Sequence, residues 1–199
     1  MGKQKEDIVE NKIPELAKIY SSFAHGTKAY TDQGACQKGC GFCCTDAGSI
    51  DMTTLEGLQI QHAIKALPRA RQISLNKALA KNIRKREKQE THPCPFLLKN
   101  MACMIYPVRP FACRRIYSNH VCTRENPPQV SRHVMDMATQ SIRALQQLDD
   151  TGYSGHISFV LHMLDIPAFV ETYLAGEFKP EAILRFGKSH GIVINKMRV

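Results

Sequence analysis

No stretch of the 199-residue sequence reaches the roughly 18 consecutive apolar residues that a membrane-crossing helix needs, so no such helix is expected. Met1 to Ile8 holds glycine and charge but no apolar stretch of the kind found in a secretory leader. With neither feature, the expected compartment is the cytoplasm, where thiols stay reduced and clustered cysteines read as metal ligands. Also missing are a Ser-His-Asp order, a phosphate-cradling glycine loop and a paired-carboxylate arrangement, which removes support for a hydrolase or a kinase. No histidine pair stands at His-x-x-x-His spacing, and there is no internal repeat or low-complexity tract. The alternating strand and helix pattern of a βα barrel is absent as well.

What remains is an ordinary globular balance, 43% hydrophobic and 23% charged, so the chain is expected to fold, and its length fits one core. Its charge is unevenly placed. Between Lys65 and Lys88 stand Lys65, Arg69, Arg71, Lys77, Lys81, Arg84, Lys85, Arg86 and Lys88 against the single acid Glu87, nearly the whole of the formal +9. A basic segment of this kind suits nucleic acid, the ribosome or an acidic protein surface, although it lacks the interleaved aromatics of a single-strand platform.

Apolar periodicity predicts a mainly α protein. Ile8, Ile13, Leu16, Ile19 and Tyr20 mark a short or kinked helix over 6–20, interrupted by Pro14, within an N-terminal helical segment 1–33. Thr53 and Glu56 form a capping-box pattern ahead of Leu55, Leu58, Ile60, Ile64 and Leu67, a helix that ends near Pro68. A basic helix follows at about 68–90. From His92 to Pro128 proline recurs and long regular elements are not expected. Beyond it, 129–199 reads as a helical extension packed on the same domain, with helices over 130–148, 155–164, 167–175 and 180–190.

The chemistry is concentrated in eight cysteines. Cys36, Cys40, Cys43 and Cys44 fall within nine residues, spaced by Gly39 and Gly41, as suits a loop that curls its backbone around a small centre. Neighbouring side chains diverge, so Cys43 and Cys44 fit poorly around one tetrahedral ion; one of them serves a second metal, bridges or packs. Cys94, Cys103, Cys113 and Cys122 lie in the proline-rich stretch and can complete the coordination, since zinc and cubane iron-sulfur centres each take four ligands. Eight thiols suffice for two such sites. His92 and His120 flank the distal cysteines as alternative ligands.

The cluster Cys36 to Cys44, followed by Ile50, Thr53 and Glu56, and the string Cys103-Met-Ile-Tyr106-Pro-Val-Arg109-Pro110-Phe-Ala-Cys113-Arg114 after Cys94-Pro-Phe-Leu, resemble the YkgJ-type cysteine-cluster family, described as zinc- or iron-chelating with a CxxCxxCC-like signature. The resemblance spans about 36–115. It implies that Cys36, Cys40, Cys43, Cys44, Cys94, Cys103 and Cys113 are the family's cysteines, in a metal-binding domain over 34–128 with a small irregular core and helices around it. Either zinc or an iron-sulfur cluster is expected, with the Cys-x3-Cys-x2-Cys spacing leaning slightly to the cluster. Arg109 and Arg114, set among the cysteines, are expected to stand behind the thiols, offsetting their charge and donating hydrogen bonds to sulfur, with Tyr106 packed beside the cluster.

Two enzyme readings stand beside the chelator. Some flagellin lysine methylases resemble the family in their cysteine motif, and Cys36-x3-Cys40-x-Phe42-Cys43 resembles the radical S-adenosylmethionine pattern, in which three thiols leave one iron open. The missing barrel pattern and the better-matched second string weigh against the latter.

Overall fold

The computed structural model describes residues 2–37, 39–45, 50–88, 90–178, 181 and 185. The first helix, α1 (Gly2–Thr31), runs through Pro14 and far past the expected stop. A proline inside a helix removes one amide donor and crowds the carbonyl four residues before it, a cost of about 3 kcal/mol that packing must offset. Pro14 is exposed, while Leu16, Tyr20, Phe23 and Thr27, at spacings of four, three and four, are buried on one face. That face packs on α6 (Arg132–Leu148), whose Val134, Ala138 and Leu145 are buried in turn. Tertiary burial therefore extends α1 beyond what its local pattern announced.

Two three-residue strands, β1 (Asp51–Thr53) and β2 (Ser154–His156), were not expected. They pair antiparallel with Asp51 opposite His156, Met52 opposite Gly155 and Thr53 opposite Ser154. Each leads directly into a helix. Thr53 caps α3 (Thr54–Lys65) with both halves of the capping box formed, and the His156 ring accepts the amide of Ser158 to cap α7 (Ile157–Leu164). The helix expected from Gly155 thus begins at Ile157, its first residues being spent on the strand. Two strands side by side start two helices side by side, and α3 packs on α7.

The basic helix α4 (Arg69–Glu87) and α8 (Pro167–Leu174) complete the larger elements, and both follow the sequence expectation closely. Of the helix expected over 180–190 only residues 181 and 185 are described, and the rest lies outside the described residues. Among those described, no single helix is long and apolar enough to cross a membrane. Instead α7, apolar on nearly every side, is buried.

Two apolar clusters result. One gathers Met52, Leu58 and Ile60 with Leu75 and Leu79 of α4 and Ile157, Val160, Leu161 and Leu164 of α7; the other joins Leu55 to the α1 and α6 faces. The cysteine-rich stretch plugs into both. Phe96 enters the first with no exposed surface, and Phe111, 2% exposed, enters the second, where it lies edge-on to Phe23 and stacked beyond Tyr20. Each buried phenyl ring contributes about 2 to 3 kcal/mol, so the irregular chain between them is anchored at two points.

Glu56 ties these parts together. Its carboxylate, 2% exposed, accepts the Thr53 amide at 2.7 Å, the Tyr20 hydroxyl at 2.6 Å and the Phe111 amide at 2.7 Å. One side chain therefore caps α3, grips α1 and fixes the start of α5 (Phe111–Arg114), the turn that carries Cys113. Asp149 does similar work nearby, accepting the Leu55 amide and the Tyr173 hydroxyl. Burial raises Asp149 to about 6, against the lowering effect of both bonds.

Replacing Glu56 by alanine leaves the Phe111 amide and the Tyr20 hydroxyl buried without an acceptor. The expected cost is about 3 to 5 kcal/mol, since each buried donor left without an acceptor costs about 1 to 3 kcal/mol. Urea denaturation followed by circular dichroism reads it, and a loss below about 1 kcal/mol would contradict the role given to Glu56.

Candidate metal centre

The thiols are brought together by short local bonds, with no long element carrying them. Cys43 and Cys44 sit on the single turn α2 (Phe42–Thr45), preceded by Gly39 at φ +93° and by Gly41. A β-carbon at Gly41 would lie 3.2 Å from Leu97, so glycine lets this loop press on the second cysteine stretch. The Cys94 amide donates to the Cys44 carbonyl at 2.7 Å, which joins the two halves of the cysteine string. Beyond it the chain doubles back: Leu97 bridges Cys103, the Leu98 amide donates to Ala102 O, and Met101 takes φ 62° in the bend.

All eight cysteines are free thiols, Cys36 and Cys40 exposed and the other six half-buried. They form two neighbourhoods. Cys44, Cys94, Cys103 and Cys113 each lie within electrostatic reach of at least two others of that set, and so do Cys36, Cys40, Cys43 and Cys122 of theirs. Cys43 also senses Cys44, the link between the sets. Among the described residues no group of three or more His, Cys, Asp or Glu side chains is drawn together tightly enough to hold an ion as it stands.

The first neighbourhood is the more elaborated. Cys44 and Cys94 share a hydrogen bond in which Cys94 keeps its proton, shifting Cys44 towards thiolate and Cys94 well up. Burial raises Cys113 to about 12, helped by the Cys44 and Cys103 thiols and opposed by Arg109. Burial raises Cys103 as well, opposed by the Ile105 amide and again by Arg109. The Phe96 amide plays the same part at Cys94. Amides two residues past Cys94 and Cys103 thus point at sulfur, which favours the thiolate that a metal requires.

The two arginines of the string divide. Arg109 faces Cys103 and Cys113 while its guanidinium lies 3.7 Å over the Tyr106 ring and donates to the Tyr106 carbonyl. Arg114 donates to the carbonyls of Arg109 at 2.9 Å and Pro107 at 2.7 Å and sits 4.3 Å over the Tyr20 ring, beside Glu56. It braces the turn that carries Arg109. Tyr106, expected to pack beside the cluster, is 58% exposed because its ring serves as the shelf for Arg109.

In the sequence Arg86 stands only as one member of the basic run. The structure places it, half-buried, where it feels Asp51 and Cys94 and donates to Asn82. Asn82, with no exposed surface, donates to Pro93 O and accepts from Ser158, so α4, the cysteine stretch and α7 meet there. Arg86, His92 and His156 line a cavity of about 10 Å³ with Cys43, Cys44 and Cys94, room for about one water. His156 is held neutral there, lowered to about 3 by burial and then by Arg86. A helical period of three to four residues puts Arg86 on the inward face with Leu75, Leu79 and Asn82, the one signal that could have found it. Lys65, Arg69, Arg71, Lys77, Lys81, Arg84 and Lys88 remain exposed.

His120 is placed away from the first neighbourhood. Its ring nitrogens lie 3.0 Å from Asn119 Oδ1 and 3.2 Å from Pro127 O, where it braces its own loop.

No curated protein and no solved structure matches the chain. A family model does, "CxxCxxCC: Putative zinc- or iron-chelating domain", over residues 35–140, which takes in every cysteine. That span exceeds half of the chain and contains both thiol neighbourhoods, so the chain belongs to this cysteine-cluster family of zinc- or iron-chelating domains.

Proposed function

We propose that the protein chelates zinc or iron through Cys44, Cys94, Cys103 and Cys113, and that the metal centre staples the proline-rich stretch to the helices. The observation that carries this is the set of donors aimed at those sulfurs: the Phe96 and Ile105 amides and the Arg109 guanidinium. Four thiolates around a divalent ion leave net negative charge, which the nearby cations Arg109 and Arg86 offset. The donor set fits the group in number and softness. Four thiols serve a tetrahedral zinc ion or a cubane cluster alike, and His92 and His156 line the adjoining cavity with Cys43, Cys44 and Cys94. Metal bound here would add to folding stability directly, on the order of 10 kcal/mol for structural zinc.

The role is structural and not catalytic in this reading. Radical S-adenosylmethionine chemistry needs a cluster with an open iron in a βα setting, and the strands among the described residues are two of three residues each. The second string, with its bonds to both apolar clusters, supports a staple.

Two measurements test the proposal. Cys113→Ser and Cys94→Ser, purified in reducing buffer beside the unaltered chain, should each lose the metal of this site, read by elemental analysis and visible absorption. A metal content unchanged in both would contradict the assignment. Arg109→Gln should weaken metal retention about 10 to 100-fold in competition with a chelator, and Arg114→Gln should weaken it less, by loosening the turn that holds Arg109. Unchanged retention in both variants would show that the arginines serve something else.

A further inference from the structure

A cleft of about 480 Å³ opens between β1, the turn α5 and α6, and no cysteine lines it. Sites for small organic molecules occupy roughly 300 to 1,000 Å³, so the volume suits one. Met52, Phe111, Ala112, Ile142 and Leu145 supply its apolar wall. They are drawn from both apolar clusters, so the wall is set by the core and stands ready before any ligand arrives. On α6, Thr139, Arg143 and Gln146 follow at spacings of four and three, which gives that helix a polar face on the cleft beside the apolar face packed on α1.

Four charged residues line the cleft, and they are not equivalent. Glu56 is already engaged by Thr53, Tyr20 and Phe111, and Asp51 lies within electrostatic reach of Arg86. Arg115 and Arg143, by contrast, have no ion pair and no hydrogen-bonded side-chain partner among the described residues. Arg115 follows α5 and Arg143 belongs to α6, so two guanidiniums on separate elements meet at one apolar hollow. The unmatched charge of the cleft is therefore positive. A guanidinium presents a planar fork of donors that matches two oxygens of a carboxylate or a phosphate.

We propose that this cleft binds a small amphiphilic anion, its carboxylate or phosphate head held by Arg115 and Arg143 and its apolar body laid along Met52, Phe111, Ile142 and Leu145. Thr139 and Gln146, on the same face of α6 as Arg143, add neutral donors near the head. The site is separate from the thiols and does not depend on the metal assignment. It meets them through one element, because Phe111 stands both on the cleft wall and two residues before Cys113.

Isothermal titration calorimetry of the full chain, purified in reducing buffer, reads the binding of octanoate and of octyl phosphate. Acetate, which has a head without the tail, and octanol, which has the tail without the charge, stand beside them. At least one of the two long-chain anions should saturate at one per chain, and the tighter of them identifies the head. Acetate and octanol should bind at least about tenfold more weakly. Arg115→Gln combined with Arg143→Gln, both exposed side chains, should weaken the anion at least about tenfold, with the helices retained by circular dichroism. Absence of saturation by either anion, acetate or octanol bound as tightly as octanoate, or an unchanged affinity in the double variant would each overturn the site.

Discussion

A buried carboxylate with three donors holds this protein in register. Glu56 is 2% exposed, and a bare charge so placed would be very costly; what makes it tolerable is that Thr53, Tyr20 and Phe111 each supply a hydrogen at 2.6 to 2.7 Å. The three donors come from a strand end, the long first helix and the cysteine string. Charge-assisted bonds are roughly twice as strong as neutral ones, and here they are also directional, so α1, α3 and α5 cannot shift independently. Cys113 follows Phe111 by two residues and inherits that placement. The thiol chemistry therefore depends on a helix cap some 55 positions away in the chain.

Around that fixed point the cysteine stretch is held by unlike devices in series. Phe96 and Phe111 bury themselves in separate apolar clusters, Asn82 catches Pro93 O, and Ser118 clasps the loop of Cys36. Between these anchors the chain has almost no ladder of its own, only the bridge at Leu97 and Cys103 and two short turns. Such a stretch has few ways to satisfy its backbone locally, and a metal bound by sulfur, as proposed, would fix several of its points at once. The cations are arranged accordingly: Arg109 on its tyrosine shelf, braced by Arg114, and Arg86 from α4 on the opposite side.

Much of this was legible in the residues. Thr53 and Glu56 announced the start of α3, the apolar spacing of 130–148 announced α6, and Pro167 marked the first turn of α8, because caps, periodicity and proline act within a few residues. The two cysteine strings announced the family. What escaped is non-local. The strands are three residues each, too short to show alternation, and exist because each starts a buried helix. Pro14 points locally to a short or kinked helix, yet the burial of Leu16, Tyr20 and Phe23 carries α1 on to Thr31. The capping box gave Glu56 a local task and hid its bonds to Tyr20 and Phe111, and the basic run hid the inward face of Arg86. The closeness of Cys122 to Cys36 and Cys43 arises from a clasp at Ser118 that no spacing rule encodes.

X-ray absorption at the metal edge of the reduced full chain tests whether sulfur alone holds the metal. Four sulfur neighbours per metal are expected, at about 2.3 Å if the metal is zinc, with no nearer shell of nitrogen or oxygen. Nitrogen or oxygen neighbours at about 2.0 to 2.1 Å would contradict it, since histidine or carboxylate ligands would then replace the thiols on which the whole arrangement has been built.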